Sequence, residues 1–176
     1  TPSDAKGLLT AAIRDDNPVV FLEHKLLYFG DAEPVPEEPY AIPLGKADIK
    51  RQGADLTLIT ISRMVHTALA AAETLAEKSI DAEVVDLRCL APLDMETVLT
   101  SVKKTGRALV LDGAHLSFGI TGEIAASIGE AAFDYLDAPV MRLAGPDHPV
   151  PYSPALEQFS VPGTDQVVAK VDEMLG

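Results

Sequence analysis

Beyond residue 55 the chain alternates short apolar, β-prone runs with longer stretches of helical period, and that alternation leaves few folds open. It predicts strands over residues 56–61, 83–87, 108–111 and 140–143, and helices over 65–78, 94–104, 122–135 and 165–175. Strands separated by helical runs of roughly 10 to 15 residues form crossover units, whose connections place helices on both faces of a largely parallel sheet. The expected fold is therefore α/β, a three-layer α/β/α sandwich with a mostly parallel sheet. Residues 44–49 can add an edge strand, whose direction the sequence leaves open.

The first 28 residues do not fit this pattern. A helix over residues 4–14 puts Leu8, Leu9, Ala12 and Ile13 on one stripe, Asp15, Asp16, Asn17 and Pro18 stop it, and residues 19–22 read as a buried strand. One helix and one strand cannot bury their apolar faces alone, so they are expected to complete something lying before Thr1 or on a partner chain. Residues 29–43 carry Pro34, Pro36, Pro39 and Pro43 with four acids and no base, and read as a stiff, extended, solvated linker.

With 47% hydrophobic residues, no Trp and a mean hydropathy of +0.15, the composition is that of a well-buried α/β protein. No apolar run approaches the roughly 20 residues of a membrane span, and the first residues lack a signal core. The net charge of −13 disfavours nucleic acid and anionic membranes and favours a basic protein partner. Residues 120–176 concentrate this charge, with nine acids against Arg142 and Lys170. They read either as a solvated surface or as a docking face. The single cysteine, Cys89, lies in apolar surroundings and reads as a buried thiol.

In open α/β sheets ligands sit beyond the carboxyl ends of the strands, so the loops to search are 62–64, 88–92, 112–121 and 144–154. Gly119 to Gly122 could present free amides at a helix start, a possible anion cradle, but neither a dinucleotide nor a Walker fingerprint accompanies them. The histidines His24, His66, His115 and His148 are too dispersed for metal-ligand spacing. His115 is the acid–base candidate by position. Ser62, Ser117 and Ser153 lack a nucleophile elbow, and Asp112, Glu123 and Asp147 form no recognisable working pair.

The strings DAKGLLTAAIRDDNPVVFLEHKLLY, PLGKADIKRQG, EVVDLRCLAPLDMETVLTSVKKTG and FDYLDAPVMRLAGPDHPVPYSP resemble the beta subunit of the first component of 2-oxo acid dehydrogenase complexes, and the similarity covers essentially the whole chain. The resemblance implies that residues 1–28 end a pyrimidine-binding domain, 29–43 link it, and 44–176 form a transketolase-type carboxyl-terminal domain. It also implies thiamine diphosphate and magnesium, bound between the pyrimidine domain and an alpha subunit, with decarboxylation of a 2-oxo acid and acyl transfer to a lipoyl group. The cofactor-activating glutamate and the active-site histidine lie upstream of the TPxDAKGLL motif in this family. The expectation is thus no catalytic or cofactor-binding residue within this chain, and no activity for it alone.

Two sites carry over by resemblance. The family's structural potassium site corresponds to Ala12, Ile13, Asp15 and Asn17, where carbonyls freed at a helix end join a carboxylate and an amide oxygen. The same residues also read as a plain Asp–Asn cap and turn before Pro18. The docking acid for the basic subunit-binding domain of the dihydrolipoyl acyltransferase corresponds to Asp137, in YLDAP, and charge complementarity favours the same surface. Further implied partners are the alpha subunit and a second beta subunit, in a heterotetramer. The implied location is cytoplasmic, or the mitochondrial matrix in a eukaryote. The loop 112–121 leans toward pyruvate as acyl donor, while SRMVH and DYLDAPV also resemble acetoin-cleaving relatives, and a branched-chain donor is a further alternative. A stand-alone anion-binding or interaction module built on Gly119 to Gly122 is the rival reading.

Overall fold

The computed structural model describes residues 1–30 and 32–176. A five-stranded sheet in the order β1-β3-β2-β4-β5 is built from β1 (Asp48–Arg51), β2 (Leu56–Thr60), β3 (Ala82–Asp86), β4 (Ala108–His115) and β5 (Met141–Gly145). β2 to β5 run parallel, and β1 pairs antiparallel with β3, which fixes the direction of the edge strand. β2 and β3 are buried at every position, as central strands covered on both faces must be.

The helices are α1 (Pro2–Arg14), α2 (Met64–Glu77), α3 (Met95–Thr105), α4 (Ile120–Ala132), α5 (Pro154–Glu157) and α6 (Thr164–Leu175). α2 and α6 cover one face of the sheet, where Leu58, Val84 and Leu109 meet Ala68, Ala72, Leu75, Val167 and Val171. α3 and α4 cover the other, where Ile59, Val85 and Val110 meet Val98, Val102, Ile124 and Ile128. Successive strand residues thus serve opposite cores, and the three layers follow from the alternation of the sequence. α3 is bounded by local chemistry: Asp94 accepts from the Thr97 amide at its start, and Gly106, at φ +71, ends it.

The strand expected over residues 19–22 does not form. No neighbouring strand is offered to it among the described residues, and without ladder partners the apolar run stays irregular, with Val20 and Leu22 each 83% exposed. A short 3-10 turn, Lys25–Phe29, follows.

Helix α1 forms as expected, opened by a capping box between Thr1 and Asp4. Its first half is not an orphan, because part of the proline-rich segment packs along it. The Ile42 amide donates to the Gly7 carbonyl at 3.0 Å, the Tyr40 hydroxyl to the Ser3 carbonyl at 2.7 Å, and Lys6 Nζ to the carbonyls of Pro36, Glu37 and Glu38. Gly7 makes this possible: a Cβ there would fall 2.5 Å from Ile42 and 2.8 Å from Tyr40.

Candidate functional site

Helix α1 reaches the sheet through a cluster of charges at the carboxyl end of β3. Asp4, on the same buried stripe as Leu8, accepts from Lys50 Nζ at 2.6 Å and Arg88 Nη2 at 2.5 Å. Asp48 contacts the same two cations at 2.7 and 2.8 Å, and Asp86 lies 3.8 Å from Lys50. Burial alone would raise the Asp4 carboxyl, but the bonded Lys50 ammonium and Thr1 hydroxyl, with Arg88 nearby, hold it down at about 2. Burial opposes the charge of Lys50 as well, yet Asp4 and Asp48 outweigh it and raise its pKa. Asp86 is raised by burial, which the Arg88 amide and the cations only partly offset. Sequence reading missed this cluster; its one local signal was an acid one helical turn before Leu8, on an otherwise apolar stripe.

The loops beyond the parallel strands share a second property. Ser62 after β2, Arg88 after β3 and Phe118 after β4 all hold positive φ, at 58°, 55° and 58°. Such conformations cost side chains energy and gather where function or tight packing imposes them. A cavity of about 290 Å³ opens between the ends of β2 and β4, lined by Ile61 to Met64, Asp112 to Ala114, Val161 and His24. The His24 ring is engaged locally, its Nδ1 accepting from the Leu26 amide at 3.2 Å.

The loop 112–121 is tied to the following strand's loop. β4 runs four residues beyond its expected end because His115 pairs with Gly145. The His115 ring donates through Nε2 to the His148 carbonyl at 3.1 Å, and Asp147 accepts from both the amide and the hydroxyl of Ser117. Those bonds from Ser117 lower the Asp147 pKa. His115 and Asp147 therefore serve as loop fasteners: His115 is bonded to a backbone carbonyl, and Asp147 holds both the amide and the hydroxyl of Ser117. In the Gly119 to Gly122 turn the Gly122 amide is already spent on the Gly119 carbonyl at 3.1 Å, which leaves a smaller cradle than the sequence suggested.

The two residue sets carried over by resemblance lie apart. At the end of α1, Asp15 Oδ1 accepts from the Asn17 amide at 2.8 Å and from its side-chain nitrogen at 3.0 Å, and these bonds lower the Asp15 pKa. Asp15 and Asn17 thus share one exposed turn with the carbonyl end that includes Ala12 and Ile13. Asp137 sits at the opposite, amino end of the sheet, where its amide donates to the Gly106 carbonyl at 2.8 Å. Its carboxylate is 60% exposed and lies 3.5 Å from Arg107. Lys103, stacked on the Tyr135 ring at 5.0 Å, and Lys104 are on the adjoining last turn of α3, so the surroundings of Asp137 are of mixed charge.

Residues 45–167 match the family model for the transketolase carboxyl-terminal domain. The beta subunit of acetoin:2,6-dichlorophenolindophenol oxidoreductase from Bacillus subtilis is 49% identical over 99% of this chain and 51% of that protein. From the same organism, the pyruvate dehydrogenase E1 component subunit beta is 50% identical over 99% of the chain and 54% of its own length, and the 2-oxoisovalerate dehydrogenase subunit beta 47% over the same shares. The chain spans about half the length of the curated relatives it matches. Among solved structures, a split-gene transketolase in an inactive beta4 tetramer superposes with a TM-score of 0.67 at 27% identity, over 80% of this chain and 46% of that one. Near-equal identity to three beta subunits, together with the matched domain and the shared fold, leads to one conclusion: the chain belongs to the transketolase carboxyl-terminal domain family, as carried by the beta subunits of 2-oxo acid dehydrogenases and their acetoin-cleaving relatives.

Proposed function

We propose that this chain is the carboxyl-terminal part of a 2-oxo acid dehydrogenase beta subunit and supports thiamine-dependent oxidative decarboxylation by organising subunits and receiving the acyltransferase. The observation that carries the reading is identity near 50% across 99% of the chain to beta subunits. Identities of 49%, 50% and 47% do not separate acetoin, pyruvate and 2-oxoisovalerate as donors, so the lean toward pyruvate rests on the loop 112–121. In this reading residues 1–28 belong with a preceding pyrimidine-binding domain, and the exposed apolar side chains of Ile13, Val20, Leu22 and Phe29 are the surface which that domain covers.

In this reading thiamine diphosphate and magnesium are held by the preceding pyrimidine-binding domain and an alpha subunit, and this chain supplies no residue to either. No catalytic step is assigned to this chain. Potassium at Ala12, Ile13, Asp15 and Asn17 is chemically reasonable as hard oxygen donors on one turn, and belongs to the same proposal. So does docking of a basic subunit-binding domain at Asp137, within an assembly of two alpha and two beta subunits. Among the described residues no helix is long and apolar enough to cross a membrane. The location that goes with the proposed function is the cytoplasm, or the mitochondrial matrix of a eukaryote.

The test is a chimera in which this chain replaces the matching half of the Bacillus subtilis pyruvate dehydrogenase beta subunit. The expected product assembles with its alpha subunit and decarboxylates pyruvate. A chimera that folds but neither assembles nor turns over pyruvate, 2-oxoisovalerate or acetoin overturns the reading.

A further inference from the structure

The order of the strands creates a gap. The chain leaves β2 toward β3 on one side and later lays β4 against β2 on the other, so the loops after β2 and β4 diverge. That divergence is the switch point at which open α/β sheets take up ligands. The cavity of about 290 Å³ lies at this point. Its walls are contributed by Ile61, Met64 and Val161, and its charged groups by Arg63 and Asp112.

The charged pair is the informative part. Arg63 and Asp112 carry opposite signs and line one cavity, yet among the described residues neither takes part in an ion pair within 4.0 Å or in a side-chain hydrogen bond. Neither charge is neutralised by a protein partner among those residues, so both remain available to a ligand in the one cavity. Arg63 also stands at the N-cap of α2, a 14-residue helix, where the Val65 and His66 amides are already bonded to the Ser62 and Arg63 carbonyls at 3.1 Å, so the guanidinium is the group this cavity offers to a negative charge. Ser62, held at φ 58° just before, fixes the sharp turn that brings Arg63 and Met64 to the cavity.

We infer that this cavity is a binding site for a small zwitterion with an aliphatic body, the class of the aliphatic α-amino acids. The carboxylate meets Arg63, the ammonium meets Asp112, and the aliphatic side chain lies on Ile61, Met64 and Val161. The inference is independent of the docking role proposed above, since the cavity and Asp137 are at opposite ends of the sheet.

The experiment titrates the chain with L-leucine, followed by amide chemical shifts, alongside isocaproate, which lacks the ammonium, and isoamylamine, which lacks the carboxylate. Saturable shifts centred on residues 62–64 and 112–114 are expected, with each truncated probe weaker by about tenfold or more. Arg63→Gln should weaken L-leucine by a similar factor and leave isoamylamine unchanged. Asp112→Asn should weaken L-leucine and leave isocaproate unchanged. Shifts elsewhere, no saturation, or equal binding of the three probes overturns the site. The probe comparison uses the unaltered chain, so it decides the question even if Asp112→Asn fails to fold.

Discussion

At the amino end of the sheet Glu83 is fully buried and fully bonded, accepting from Ser101, Lys104 and, at 3.3 Å, the Gly53 amide. Thr57 and Thr105 share a hydrogen bond at 2.8 Å beside it, and backbone presses on backbone at Gly53. The amino end has one side chain at positive φ, Ser79 at 61°, whereas at the carboxyl end three turns hold them, Phe118 is fully exposed, Arg88 Nε is buried without a partner and a cavity stands open. A protein can keep strained loops at one end only if the other holds the strands in register. The carboxyl end has one firm corner, the charge cluster around Asp4, and it anchors a helix while the loops beside it stay open.

The largest effect that could break this comparison is expected at that corner. Asp4→Ala leaves Lys50 and Arg88 short of a buried acid and should cost about 3 kcal/mol in urea unfolding. The loss of hydrogen-exchange protection should be confined to α1; loosening of β2 and β4 would mean that the corner, and not the amino end, holds the sheet. The pH dependence follows from the same group. With its carboxyl held at about 2 instead of 3.8, Asp4 contributes stability that is complete above about pH 4 and lost as the pH falls toward 2. Asp86, raised by burial, has the opposite sign: its stabilising protonation sets in on acidification, so Asp86→Asn should steepen the acid loss and Asp4→Asn should flatten it.

Glu83→Ala comes next, at about 2 kcal/mol, because Ser101 and the Gly53 amide lose their acceptor while the half-exposed Lys104 can turn to water. Its loss of protection should spread through β2, β3 and β4; an effect limited to β3 would weaken the claim that this end sets the register. Ser62→Gly should stabilise by up to about 1 kcal/mol, since it removes a left-handed side chain, as thermal unfolding would register. A destabilised variant would mean that the turn carries no strain. Arg107→Ala should change stability by less than about 1 kcal/mol, as for other exposed pairs. It frees Asp137, so surface plasmon resonance should show faster association of a basic subunit-binding domain, and slower association would place that partner elsewhere.

Most of the sheet was legible because its strands are continuous apolar runs, and such runs between amphipathic helices have one architecture open to them. Residues 19–22 have the same local composition and form no strand, since a strand is defined by a neighbour that composition does not reveal. The short helix α5 was not anticipated; four residues opened by Pro154 leave no period to read. The Asp4 cluster joins residues 46 and 84 positions apart, a proximity that only the folded chain creates. Positive φ at Ser62, Arg88 and Phe118 was hidden for another reason. None is Gly or Asn, the residues that announce such turns, so packing imposes what local preference would refuse.

The edge strand β1 has a consequence for how molecules of this kind meet. It is only four residues long, its register with β3 shifts between Ile49 and Arg51, and it carries Asp48, Lys50 and Arg51. Short, bulged, charged edges resist being extended by a strand from another molecule. With that margin of the sheet closed to strand addition, a sheet continuous across two copies is disfavoured there, and protein contacts fall to side-chain surfaces, where charge and shape can choose the partner.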